Sequence, residues 1–348
     1  MDLSAVSSNA ASILAHLPGD AGLFAVVKAN GYGHGAVQVA RAALEGGATG
    51  LAVATLEEAQ QLRGLASEER ILVMGALPPQ LASTAAASGF AFTVSSLEFA
   101  QALDGQGSVV PVHLKIDTGM GRFGCAPEEA PSLASFIDKA PGLRLAGTMT
   151  HFASADSDEA MTRKQYDRFM DALGAFEVDP GMRHACNSAG ARRFPEFALD
   201  AVRSGIALYG CEWPGHRPAL AFRSAVTHVK TLRVGDAVGY GATWRATSNA
   251  RVAVVAVGYA DGVHRSRSNH GHVLVRGGRA PLIGVVSMDA ITIDVSSIPA
   301  VQTGDVVTLI GDDGDDRITA EQVAEWSGTI SWDVLTSLGM RVERRYSE

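Results

Sequence analysis

A chain of 348 residues, 47% hydrophobic and 19% charged, holds enough apolar material for a large core in one or two domains and is not a disordered polymer. Its net charge of −8, with dispersed arginines and no Lys/Arg run, offers no footprint for nucleic acid and no patch for an anionic membrane. Three widely spaced cysteines, Cys125, Cys186 and Cys211, form no Cys-x-x-Cys pair and fit free thiols in a reducing compartment.

The opening MDLSAVSSNAASIL has neither a basic n-region nor an apolar h-region, so no signal peptide is expected and the protein is placed in the cytoplasm. The first apolar run, FAVVKA (24–29), leads into AVQVARAALEGG, which suits a helix; GLAVAT (50–55) leads into LEEAQQLRGL. From Ile71 to Leu97 no residue is charged, a length that could span a membrane. Gly75, Pro78, Pro79 and Gly89 interrupt it, and it divides into strand ILVMGA, helix QLASTAAAS and strand FAFTVSS. The runs VHLKIDTGM (112–120), LAGTMTHF (145–152), RHACNSAG (183–190) and AVRSGIALYG (201–210) bring the total to eight. Strands alternating with helical segments imply βαβ units and a parallel sheet, and eight of them in this length predict a (β/α)8 barrel of the TIM type, with a doubly wound sheet as the alternative.

After about Phe222 the texture changes to short β-type runs punctuated by Gly, Asn and Asp: VTHVKTL, RVAVVAVGYA, HVLVRGG, LIGVVSM, AITIDV and DVVTLIG. Only TAEQVAEWSG and SWDVLTSLG look helical there. The expected organisation is therefore a barrel over 1–222 and a mostly antiparallel β domain over 223–348. GDDGDDR (311–317) lacks the glycine and glutamate of a calcium loop and reads as an acidic turn. His264, His270 and His272 follow no zinc spacing and read as a polar loop.

Lys28 is one of only five lysines, and it ends the first apolar run. In such barrels the C-terminal strand ends build the active site. An amine emerging from an apolar strand loses solvation, which lowers its pKa and favours the free base that a Schiff base requires. Alone, the same lysine could simply snorkel to solvent. Other strand ends add to it. Lys115 lies in run five with Arg122 just beyond, His151 closes run six, and Asn187 and Ser188 close run seven, where a hydroxyl and a helix start could hold a phosphate. Arg203 sits on run eight beside Gly205 and Ile206, whose amides could join the same anion site. Singly, His151 reads as a core histidine and Ser188 as a helix cap. Together these residues point to pyridoxal phosphate.

The segments VKANGYGHG, HLKIDTGMGR, THFASAD, NSAG, RSGIALYG, VGYGATW, VGYADG and SMD, in this order, resemble alanine racemase, a fold-type III pyridoxal-phosphate enzyme, along essentially the whole chain. The resemblance implies L-/D-alanine interconversion by two bases, supplying peptidoglycan, in a head-to-tail homodimer with composite active sites. It implies that Lys28 holds the cofactor and acts as base on one face, and that Tyr259 of the partner subunit acts on the other. Arg203 would face the pyridine nitrogen, with His151 hydrogen-bonded to it. Tyr32, Ser188, Gly205 and Ile206 would hold the phosphate, and Asn187 belongs to the same cofactor site. Arg122 would bind the substrate carboxylate or the cofactor's phenolic oxygen, and Lys115 matches a lysine often carried as a carbamate. Met288 and Asp289 would reach the partner's substrate pocket.

The chain departs from the family's pattern at Val285, where many members have arginine, at Ala290 in place of glutamine, at Met340 in place of a tyrosine and at Val263 in place of an aromatic. These changes bear on the substrate channel and leave a broader-specificity or serine racemase as the alternative. A fold-type III decarboxylase would carry a different C-terminal domain, and a small cofactor-homeostasis protein would lack one. A Schiff-base aldolase would leave NSAG and RSGIALYG unexplained.

Overall fold

The computed structural model describes residues 1–348, which form two compact units: Leu3–Arg217, and Pro218–Glu348 together with Met1–Asp2. The first unit holds eight strands: β1 (Gly22–Val26), β2 (Gly50–Val53), β3 (Ile71–Val73), β4 (Ala91–Val94), β5 (Val110–Lys115), β6 (Leu143–Met149), β7 (Met182–His184) and β8 (Ala201–Ser204). They pair in parallel in the order β7-β6-β5-β4-β3-β2-β1-β8. Where the two ends of that sheet meet, Arg203 N–H donates to Cys186 O (2.9 Å) and Asp200 N–H to Arg183 O (3.0 Å). The result is a nearly closed TIM-type barrel, as the eight apolar runs predict.

The strands are short and covered on both faces, so they read as near-continuous apolar runs rather than as alternation; GLFAV and AFTV are buried at every residue. Each run is longer than its strand. Run eight stops as strand at Ser204 and turns into a 3-10 helix over Ile206–Tyr209, and run seven stops at His184. The surplus residues are the loops at the C-terminal end of the barrel.

The barrel interior alternates bulk with space. Phe24 packs against His113 and His184, at ring-centroid distances of 6.0 and 5.5 Å. Glycines on intervening strands make room for these rings. A Cβ on Gly50 would come within 2.6 Å of Phe24, and one on Gly147 within 2.5 Å of His113 Nδ1. Large residues on β1, β5 and β7 are thus admitted by glycines on β2 and β6, the layered filling such barrels use.

In the second unit the strands are β9 (Phe222–Leu232), β10 (Ala237–Val238), β11 (Trp244–Arg245), β12 (Ala250–Val255), β13 (His272–Val275), β14 (Gly278–Ile283), β15 (Ile291–Asp294), β16 (Val306–Asp313) and β17 (Asp316–Ile318). β10 and β11 form a separate two-stranded ribbon. The others run antiparallel in the order β13-β14-β15-β12-β9-β16-β17, and β13 also pairs with β16. That last pairing closes six strands into a ring, which leaves few exposed edges. The acidic GDDGDDR segment is the β16–β17 hairpin, where Arg317 pairs with Asp312 and Arg279 with Asp316. Helices Ala320–Ser327 and Ser331–Thr336 match the two expected helical segments. No helix of the chain is long and apolar enough to cross a membrane.

Candidate active site

Lys28 stands just beyond β1, at the start of an unusual turn. Ala29, Asn30, Gly31 and Tyr32 all take left-handed backbone angles, with φ of 52°, 53°, 60° and 49°. For the three non-glycine residues that costs about 1–2 kcal/mol each. Local bonds hold the turn: Gly31 N–H to Val27 O (2.8 Å), Gly33 N–H to Ala29 O (3.0 Å) and Ala36 N–H to the Asn30 side chain (3.1 Å). The turn carries the Tyr32 ring to the backbone of Gly205, just past β8. Desolvation lowers the pKa of the Lys28 amine, the nearby Arg122 charge lowers it further, and Glu58 opposes both.

The residues expected to form a phosphate cradle after β7 and β8 lie together. Ser188 Oγ lies 2.8 Å from Ser204 Oγ and accepts from Gly205 N–H at 3.1 Å. A Cβ on Gly205 would lie 2.5 Å from Tyr32 Oη, so the hydroxyls and amides here converge on a space only glycine leaves open. The Tyr32 ring lies against Tyr209 at a 30° tilt (4.8 Å between centroids), the Tyr209 hydroxyl donates to Val26 O (3.1 Å), and burial pushes the Tyr32 phenol up to about 12. Asn187 caps the short helix Ser188–Arg193 through Oδ1 and donates to Phe152 O through Nδ2, so its amide shapes the cradle from behind. Ile206 begins the 3-10 turn that follows Gly205.

Arg203 is buried beneath this end of the barrel. One terminal nitrogen donates to His184 Nδ1 and His184 O, both at 2.8 Å. The other donates to Thr150 O (2.6 Å), Ala185 O (3.0 Å) and His151 Nδ1 (3.3 Å). Nε is left as the nitrogen uncommitted to the protein. Burial pulls the guanidinium down to about 10, still cationic at any ordinary pH. Because arginine can only donate, His184 Nδ1 must accept, which puts the His184 proton on Nε2, facing His113 Nδ1 at 2.7 Å. Burial and the Arg203 charge hold both His184 and His151 well below the usual histidine range, and burial takes His113 to about 3. Arg203 therefore rests on two neutral imidazoles, His184 and His151, with neutral His113 behind His184, and keeps its own charge.

Lys115, the last residue of β5, is buried with its amine 5.4 Å from the centre of the Phe123 ring, against which Arg122 also packs (5.6 Å). Desolvation, Arg203 and Arg122 bring the Lys115 amine down to about 8, where a free base becomes available near neutral pH. The loop carrying Arg122 is wound around one carboxylate: Asp117 accepts from the backbone N–H groups of Gly119, Met120, Gly121 and Arg122, at 2.8 to 3.2 Å.

The second unit groups the remaining candidates. Tyr259 opens a 3-10 turn and is 44% exposed. Its N–H donates to Ser287 O (3.0 Å), and the next N–H to Met288 O (3.1 Å). Gly258 makes this approach feasible, since a Cβ there would meet both carbonyl oxygens at 2.3 Å. Arg341 ties the two loops together, pairing with Asp261 and Asp289 at 2.6 Å each.

Sequence reasoning overlooked His113, His184, Ser204 and Glu58. A histidine at alternate positions with Lys115 in a buried strand was a signal for the first; the others carry none on their own.

The family model described as alanine racemase, N-terminal domain, matches residues 1–212, and that of the C-terminal domain matches 219–346. The chain belongs to the alanine racemase family. It is accordingly an enzyme of the isomerase class. It is 40% identical to the alanine racemase of Desulforamulus reducens, covering 99% of this chain and 97% of that one, and 40% identical to that of Symbiobacterium thermophilum, covering 99% and 96%. Among solved structures, the Bacillus anthracis alanine racemase with bound L-Ala-P superposes with a TM-score of 0.92 at 39% identity, covering 100% of this chain and 94% of that one. The E. faecalis alanine racemase gives 0.94 at 36%, covering 100% and 97%. Of the positions where this member of the alanine racemase family departs from the common pattern, Val263 is buried in the second unit and Met340 is fully exposed.

Proposed function

We propose that this chain interconverts L-alanine and D-alanine with pyridoxal 5'-phosphate, by a two-base mechanism in a head-to-tail homodimer. The observation that carries the reading is the group at one barrel end: the desolvated Lys28 amine, the cradle of Tyr32, Ser188, Ser204 and Gly205, and an Arg203 whose Nε is uncommitted. These residues fit the cofactor in charge and spacing of roles. When bound, it supplies the electron sink that lets a weakly acidic α-carbon release its proton.

Lys28 would hold the cofactor through Nζ. The Ser188 hydroxyl, the Tyr32 hydroxyl and the amides of Gly205 and Ile206 would hold its phosphate, with Asn187 fixing the helix behind them. Arg203 would face the pyridine nitrogen and, being permanently cationic, disfavour its protonation. That choice limits how far negative charge spreads into the ring and so suppresses side reactions. Arg122 would bind the substrate carboxylate, oriented by Lys115 if that amine is carried as a carbamate. Racemisation needs a base on each face of the α-carbon. Lys28 Nζ would exchange the proton on one face and the Oη of Tyr259 of the partner subunit on the other, with Met288 and Asp289 reaching into the same pocket. The product would supply D-alanine for peptidoglycan, in the cytoplasm.

The test is Lys28→Ala. The variant should lose both the visible-edge absorbance of the cofactor complex and racemisation in either direction. Retained turnover would remove the reading.

A further inference from the structure

Glu58 belongs to a helix that has no evident business with the chemistry. It is the third residue of Leu56–Gln61, and with Thr55 it forms a capping box: Glu58 N–H donates to Thr55 Oγ1 (3.2 Å) and the Glu58 carboxylate accepts from Thr55 N–H (3.4 Å). A capping box needs nothing more. Yet the same carboxylate accepts two shorter, better bonds. Oε2 takes Ala54 N–H at 2.8 Å, just past the end of β2, and Oε1 takes Ala29 N–H at 2.7 Å, in the turn beyond the neighbouring β1. Ala29 is the residue directly after Lys28 and the first left-handed position of its turn. No local contact of the turn engages that N–H.

We propose that Glu58 is a positioning residue for Lys28: its carboxylate fastens the left-handed turn at Ala29 to the end of β2, and sets one negative charge opposite the cluster of cations at the barrel mouth. That cluster comprises Lys28 itself, Arg122 and Lys115 on the β5 side and Arg203 on β8, with His151 neutral among them. Of the side chains acting on the Lys28 amine, Glu58 is the anion. Because Ala29 N–H and the Lys28 Cα share one peptide unit, a bond made there fixes the direction in which the lysine leaves the backbone. The inference rests on Lys28 being the cofactor-bearing residue.

Two properties, reach and charge, are separable by substitution. Glu58→Asp keeps the charge and shortens the side chain; Glu58→Gln keeps the length, removes the charge and leaves one acceptor oxygen in place of two. Two readouts on apoprotein follow them. One is the pH profile of Lys28 acylation by a small anhydride, resolved by peptide mass spectrometry with Lys139, Lys164 and Lys230 as internal references. The other is the rate at which added pyridoxal 5'-phosphate is trapped on Lys28 by borohydride. Glu58→Gln should move the Lys28 acylation midpoint to lower pH and leave the three reference lysines unmoved. Glu58→Asp should leave that midpoint near wild type and slow trapping about tenfold or more, as a reactive group displaced by a fraction of an ångström does. Unaltered reference lysines and far-UV circular dichroism exclude general unfolding; if Glu58→Asp fails this check, the Glu58→Gln midpoint alone decides. A wild-type midpoint in Glu58→Gln together with wild-type trapping in Glu58→Asp overturns the proposal. Trapping of wild-type protein on a residue other than Lys28 overturns the functional reading instead.

Discussion

Gly205→Ala probes the cradle with one methyl group. The backbone at Gly205 has a negative φ of −116°, so no left-handed strain enters and the close contact carries the argument. The added Cβ would lie 2.5 Å from Tyr32 Oη and 2.9 Å from Cζ, roughly 1 Å inside ordinary contact at about 3.5 Å. Tyr32 cannot retreat easily. Its ring lies against Tyr209, which is buried and tied to Val26 O, and its own backbone is in the left-handed turn. Forcing extra volume into such packing costs about 1–3 kcal/mol. If the cost falls on the bound state, cofactor affinity drops about 5- to 150-fold. The assay is an absorbance titration of apoprotein with pyridoxal 5'-phosphate, beside a thermal melt. Adding Tyr32→Phe removes the closest atom but keeps Cζ at 2.9 Å, so it should restore melting temperature in part without restoring affinity, the proposed phosphate ligand being lost. A Gly205→Ala protein with wild-type affinity and wild-type melting would refute the geometry argued here.

Two further outcomes concern ionisation. Lys115 is pulled from 10.5 to about 8, first by burial and then by Arg203 and Arg122, so the unfolded chain binds a proton that the folded chain lacks between those values. Its charge therefore penalises the fold by roughly 3 kcal/mol below pH 8, and the penalty fades as pH rises through that window. In carbonate-free buffer, Lys115→Met should exceed wild type in urea-unfolding free energy at pH 7.5, with the gap narrowing by pH 9.5; a gap that widens contradicts the burial argument. His113 and His184 should stay neutral, so the side-chain nitrogens of 15N-histidine-labelled protein should show two rings that do not titrate between pH 5 and 8. A midpoint near 6.5 for either ring would break the chain of imidazoles behind Arg203.

The linear order of residues carried much of this protein. Eight apolar runs with glycine and proline between them announced the parallel barrel, because buried parallel strands are read from local hydrophobicity alone. The candidate site residues Lys28, Arg122, His151, Ser188 and Arg203 could be picked out because strand ends are where such a barrel places its site. The change of texture after Phe222 likewise marked the second fold. What folding alone decided is every partnership across strands. His113 and His184 are 71 positions apart and meet only because β5 and β7 face one interior emptied by Gly147. Ser204 reaches Ser188 through the meeting of β7 and β8, the second unit becomes a ring only through the β13–β16 pairing, and Glu58 finds Ala29 across a strand register. Hydrophobic pattern is a property of neighbours in sequence, while hydrogen bonds between distant side chains depend on registers that no short stretch of chain encodes.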